Sequence, residues 1–170
     1  MSKKKGKPPH SKRRAQGNSR SASRMAAVQA LYQMELSNQD VDTALREFID
    51  HRLGREIEGQ QYAEADQKYF ATLVRGVVDR QDEIDRELAR TLPKEWPFDR
   101  IDPTMRAILR SATFEILAQP AVGIRVIVKE YMTVAEAFFV REESGFLSGV
   151  FSRLARAHRA AEDAAPPATQ

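Results

Sequence analysis

The residues able to carry acid–base, metal or nucleophilic chemistry are few and scattered. Three histidines, His10, His51 and His158, stand far apart, with no second histidine or carboxylate at ligand spacing, and read as solvated surface side chains. The absence of cysteine removes thiol nucleophiles, cysteine zinc sites, iron–sulfur clusters and disulfides, and fits a reducing compartment such as the cytoplasm. The eight glycines form no phosphate-cradling cluster behind a strand, and no serine sits in a nucleophile elbow. Asp82 with Asp85 and Glu142 with Glu143 are paired carboxylates, but they lie in charge-rich stretches that form solvated helix faces. The sequence predicts no catalysis, no metal and no cofactor.

What remains is recognition chemistry. Residues 1–24 hold nine Lys and Arg and no acid, a charge of +9, and the rest of the 170-residue chain carries −6. A basic arm on an acidic body fits a polyanion partner, most often nucleic acid, and equally a solubilising disordered end. Arg20 and Arg24 stand one helical turn apart, where guanidinium forks suit phosphates and base edges, or plain solvation. Tyr32 lies about 100° from the centre of its helix's apolar stripe and reads either as a contact residue or as a half-buried tyrosine. Phe146 lies about 90° off the apolar face of its own helix, a place for stacking an unpaired base or for packing at the core edge. Gly145 and Gly149 flank it in a pattern expected to serve close helix packing in the core.

The elements that must position these residues are helical throughout. The polar stretch 1–20 is expected to be disordered, since its lysines repel and Pro8, Pro9 and Gly17 break local structure. A first helix is expected from about Ser23 to Leu36 with Ala27, Leu31 and Met34 inward, and a second over Val41–Leu53. Asp66–Thr91 forms one long helix or two broken near Asp79. Pro93 and Pro97 force an extended crossing, with Trp96 and Phe98 as anchors on the core. Asp102-Pro103 starts a helix burying Met105, Ile108, Leu109, Ala112 and Ile116. A fifth spans about Arg125–Phe139, burying Val128, Met132, Ala135 and Phe138 or close neighbours, and a sixth about Ser144–Arg159 with Leu147, Val150, Phe151 and Leu154 inward. No apolar run reaches the roughly 20 residues of a membrane span. The expectation is a compact all-α single domain of about six or seven helices over 21–160, between a basic arm at 1–20 and a tail at 161–170.

Four collinear blocks resemble the NusB family. Ala27-Val28-Gln29-Ala30-Leu31-Tyr32-Gln33-Met34-Glu35-Leu36 is similar to its first-helix signature, and Tyr69-Phe70 with Leu73-Val74-Arg75-Gly76-Val77 to its third helix. Trp96, Arg100-Ile101-Asp102-Pro103 and the run Arg106 to Ile116 resemble its central helix and lead-in. Arg125-Val126-Ile127-Val128-Lys129-Glu130 and Gly145-Phe146-Leu147-Ser148-Gly149-Val150-Phe151 resemble its last two helices. The resemblance implies two packed helical subdomains and a non-enzymatic antitermination factor. Such a factor binds the single-stranded boxA sequence of nascent ribosomal RNA with NusE, a small-subunit ribosomal protein, within an RNA polymerase antitermination complex. By match, Arg20, Arg24, Tyr32, Arg110 and Phe146 fall at RNA-contacting positions, with Phe146 the stacking aromatic, and Met105, Arg106 and Glu115 on the NusE-binding side. The chain departs from the family where Arg20-Ser21-Ala22-Ser23-Arg24 replaces consecutive arginines and in Val128-Lys129-Glu130-Tyr131. Those departures keep open an alternative without boxA specificity: an RNA-recognition or protein-binding paralogue, akin to the leading domain of ribosomal RNA cytosine methyltransferases.

Overall fold

The computed structural model describes residues 9–53 and 66–163, with side chains over 19–53 and 66–162. Every regular element among them is helical: α1 Pro9–Ser37, α2 Val41–His51, α3 Gln67–Asp79, α4 Gln81–Thr91, a 3-10 turn Phe98–Arg100, α5 Pro103–Ala118, α6 Ile124–Phe138, α7 Arg141–His158 and the single turn α8 Ala160–Asp163. The helix ends follow local chemistry. Asp40, Asp66 and Asp102 each cap a helix by accepting a backbone amide, from Thr43, Tyr69 and Thr104 respectively, and Pro103 sits where its missing amide costs nothing. Asn38, with φ 53°, takes the left-handed conformation that ends α1. The Asp66–Thr91 pattern resolves into two helices that break at Arg80, whose guanidinium reaches forward to both oxygens of Glu83 at 2.8 Å. The break lets α3 lie on α1 and α5 while α4 turns onto α5 and α7.

One continuous core runs through the molecule, with α5 at its centre against α1, α3, α4, α6 and α7. The apolar positions expected inward on α3, α4, α5 and α7 are buried. Phe48 and Phe70 stack at 5.7 Å between ring centres to join α2 to α3. Gly76 allows the closest helix approach: a Cβ there would stand 2.1 Å from Phe114 Cζ, so the ring of α5 rests on bare α3 backbone.

Four expectations are corrected. Of the stretch 1–20 expected to be disordered, 1–8 lies outside the described residues and 9–20 is helical. Once Ala26 to Leu31 are fixed on the core, each further residue of α1 adds one hydrogen bond, and a proline is tolerated at its first position. α6 is rotated by about one residue, with Ile124, Ile127, Tyr131, Val134 and Ala135 buried, Val128 and Met132 partly buried and Phe138 43% exposed. That rotation brings the Tyr131 hydroxyl to Glu115. Trp96, expected as a core anchor, is 54% exposed, whereas Phe98 does sit against the core. Finally, residues 161–163 of the expected tail belong to α8, and Glu162 accepts the Ile124 amide at 2.6 Å.

Candidate nucleic-acid interface

α1 enters the molecule with Arg24 facing inward. Its guanidinium makes two parallel hydrogen bonds to Glu115 of α5, both 2.9 Å, and a longer one of 3.4 Å to the Tyr69 hydroxyl of α3. The Tyr69 and Tyr131 hydroxyls donate to the same carboxylate, one to each oxygen, so all four acceptor sites of Glu115 are filled. Arg24 is 2% exposed and Glu115 0%. Glu130, half-buried, stands 3.7 Å from Arg24 and accepts from Ser21 at 2.7 Å. Burial first, then the adjacent carboxylate, raises the Tyr69 and Tyr131 hydroxyls above the ordinary tyrosine range. Burial alone would lower the Arg24 value, but the hydrogen bonds and charge of Glu115 raise it. This is a satisfied buried ion pair that joins α1, α3, α5 and α6, and such a pair adds little net stability over apolar packing of the same volume. Arg20, one turn earlier, lies over the Tyr69 ring at 4.6 Å and has no carboxylate partner among the described residues.

A second cluster ties α5 to α1 and α4. Arg110 makes two 2.9 Å hydrogen bonds to Asp85, contacts Glu35 at 3.2 Å and lies over the Phe98 ring at 5.1 Å. Arg106 pairs with Glu35 and donates to the carbonyls of Asp99 and Ile101 at 3.2 and 2.5 Å, clamping the turn before α5. Asp85, expected on a solvated face, is therefore the partner of Arg110. The side chains of Arg106 and Arg110 are 13% and 14% exposed, and Met105 is buried.

The accessible aromatics lie elsewhere. Tyr32 lines an open groove of about 570 Å³ with Val28, Leu36, Arg52 and Phe138. Phe146 is half-buried, as its place on the margin of α7 predicts, and meets the indole of Trp96 at 5.3 Å and 42° between planes. Gly145 and Gly149 do not serve core packing: a Cβ at either would meet nothing within 4 Å. Of the histidines, His158 lies 3.0 Å from Glu87, His51 is exposed and the His10 side chain lies outside the described residues. Among the described residues, no group of His, Asp and Glu is arranged to hold a metal, and no helix is long and apolar enough to cross a membrane.

The NusB family model matches residues 21–156. The chain belongs to the NusB family. Transcription antitermination protein NusB of Caulobacter vibrioides is 46% identical over 137 residues, 81% of this chain and 92% of that protein. The Sphingopyxis alaskensis protein of the same name is 44% identical over 138 residues, covering 81% and 93%. Among solved structures, T. maritima NusB superposes with TM-score 0.70 at 26% identity, over 85% of this chain and 95% of that one. A NusB crystallised with NusE and double-stranded RNA superposes with TM-score 0.68 at 19% identity, over 81% and 96%, a likeness of fold.

Set against the NusB resemblance, the nominated residues separate into three groups. Arg24, Glu115 and Met105 are interior, the first two paired with one another. Arg106 and Arg110 are neutralised by Glu35 and Asp85 and hold helix to turn and helix to helix. Tyr32, Phe146 and Arg20 keep solvent-facing surface, and Arg20 has no carboxylate partner among the described residues. Sequence reasoning missed Tyr69, Tyr131 and Glu130 as partners of Arg24, and the open face of Trp96. The first three give no local signal; for Trp96, a tryptophan fenced by two prolines was the signal available.

Proposed function

We propose that the protein is a non-catalytic RNA-binding adaptor. In the cytoplasm, together with NusE, it holds the single-stranded boxA segment of nascent ribosomal RNA and helps load the antitermination complex onto RNA polymerase. The observation that carries this reading is the family match across 21–156, with antitermination proteins as relatives at 46% identity. A NusB of the same fold has been crystallised with NusE and RNA, and the +9 charge of residues 1–24 supplies the counterion release that drives binding to phosphates. The test is a titration of labelled boxA RNA and a scrambled RNA, each with and without NusE. Salt-sensitive binding that prefers boxA and strengthens with NusE is expected; equal affinity for both RNAs in the presence of NusE would overturn it.

One observation favours a second reading. Arg24 and Arg110, two cations expected at RNA, are neutralised by Glu115, Asp85 and Glu35. That suits a paralogue without boxA specificity, for which the same titration shows indifference to sequence.

A further inference from the structure

The groove between α6 and α7 joins an apolar floor to a cationic rim, far from the aromatic residues considered above. It is open to solvent, about 230 Å³ in volume, and lined by Ile124, Arg125, Val128 and Lys129 of α6 and by Ser152 and Ala155 of α7. Helical spacing builds it. Ile124 and Val128 fall one turn apart with Arg125 and Lys129 beside them, so each turn of α6 sets an aliphatic side chain low and a cation at the lip. The facing wall is short, since Ser152 and Ala155 carry at most a hydroxymethyl group.

The cations at the rim are not neutralised within the fold. Lys129 is exposed and has no carboxylate partner among the described residues. Arg156, one turn on from Ser152, folds back so that its Nε donates to the Ser152 carbonyl at 3.4 Å, and it too has no carboxylate partner among the described residues. The nearby acids are engaged elsewhere. Glu130 accepts from Ser21 and lies 3.7 Å from Arg24, Glu162 holds the Ile124 amide and pairs with Arg159, and Glu136 stands two turns further along α6 than Lys129. By contrast, Arg80, Arg90, Arg106 and Arg110 each meet a carboxylate. In a body that carries −6 outside residues 1–24, cations left open around an apolar groove favour an acidic partner.

We propose that this groove docks an acidic segment of a protein partner, with one aliphatic side chain seated over Val128 and Ala155 and flanking carboxylates paired with Lys129 and Arg156. A cavity of about 150 Å³ accepts a benzene molecule, so the groove has room for one such side chain. A nucleic acid is the less suited occupant, because the lining includes no aromatic ring on which a base could stack. Ser152 and Ala155 lie about 120–180° around α7 from Phe146, so the groove faces away from that aromatic margin and leaves it open when filled. The inference goes beyond the RNA-binding reading and does not depend on it.

The probe is a short blocked peptide in which one leucine is flanked by glutamates, titrated into the full ¹⁵N-labelled chain to millimolar concentration and followed by amide chemical shifts. Saturable shifts are expected at Val128, Lys129 and Ser152, with Tyr32 and Phe146 unmoved, and the binding should weaken as salt is raised. Alanine in place of the leucine should weaken it about tenfold, and lysines in place of the glutamates should abolish it. Lys129→Gln should cost about 2- to 5-fold, as for an exposed ion pair. Ser152→Leu should fill the groove and abolish binding with the melting temperature unchanged or raised, since the position is exposed and leucine is the better helix former. No saturable shift along α6 and α7, or equal shifts with the glutamate and lysine peptides, would overturn the proposal. So would sedimentation showing a dimer that Ser152→Leu converts to monomer, which would make the groove an interface between copies. Labelled boxA RNA is titrated against the same variants: lost RNA affinity with peptide binding retained would make the face a nucleic-acid surface and the proposal wrong. Lost peptide binding with RNA affinity unchanged is the expected result, and a parent chain that binds the peptide but no RNA would sink the RNA-binding reading alone.

Discussion

Glu115→Gln isolates what the buried cluster does. The substitution keeps the size of the side chain and removes its charge, leaving the Arg24 guanidinium 2% exposed with an amide where it had two carboxylate oxygens. Breaking a buried pair by removing one partner costs about 3–5 kcal/mol. Glu130, 3.7 Å from Arg24 and still partly solvated, continues to offset the stranded charge, so the low end, about 3 kcal/mol, is expected. For a domain of this size that is a fall in melting temperature of roughly 6–12 °C. Urea unfolding followed by circular dichroism measures it, with an unchanged slope showing that the folded state is otherwise intact. Arg24→Met should destabilise similarly, and the double variant should cost clearly less than the sum of the singles, because neither charge is then left alone. RNA affinity per folded molecule should not change in Arg24→Met. A loss below about 1 kcal/mol in Glu115→Gln, or an Arg24→Met that is fully stable and no longer binds RNA, would show that Arg24 faces outward and that the inward geometry is wrong.

Two glycines should respond with opposite sign. Gly76→Ala places a Cβ against the Phe114 ring and should cost about 1–3 kcal/mol by overpacking, whereas Gly149→Ala, in open space, should gain up to about 1 kcal/mol of helix stability by thermal melting. Phe151→Ala, from a fully buried ring, should lose about 3–5 kcal/mol of stability. Phe146→Ala should lose less, and about 1–3 kcal/mol of RNA affinity instead; equal stability losses with unchanged affinity would leave Phe146 a core-edge residue. Tyr69 and Tyr131 have raised values in the fold, so their contribution is complete below the ordinary tyrosine value of about 10 and is lost as pH rises through the folded values. Stability should therefore decline above about pH 10, with a shallower decline in Tyr131→Phe; an unchanged decline would remove Tyr131 from the cause.

The fold was legible where its determinants are local. The Asp102-Pro103 start, the α2 stripe and the inward faces of α3, α4 and α7 follow from spacing and capping within a turn or two. The failures involve pairings distant in sequence. Arg24 and Glu115 are 91 residues apart, and nothing near either says that they meet. An arginine at the entrance of a helix looks the same whether it points to solvent or to a carboxylate. The α6 stripe was misplaced by a residue because the buried Tyr131 hydroxyl, rather than apolar area, sets the helix's rotation. Trp96 was assigned to the core on its size, and Gly145 with Gly149 to close packing on their spacing, since composition cannot distinguish a surface kept open from an interior kept small. The NusB resemblance located the segments correctly, but it could not say which side of a helix each side chain takes.

Arg159 donates to the carbonyls of Glu115, Ile116, Gln119 and Val122 at 3.2, 3.0, 2.8 and 2.8 Å and pairs with Glu162, which holds the first amide of α6. The end of α7 and the α8 turn thus fasten the bend between α5 and α6. During synthesis that bend leaves the ribosome unfastened, and its clasp arrives 44 residues after Ala118, roughly 2–9 s later at ordinary elongation rates. Through that interval α5, the helix on which every other long helix except α2 rests, has an open end. The joint at the centre of the fold is closed by residues made well after the two helices it joins, so its closure waits for Arg159 and Glu162.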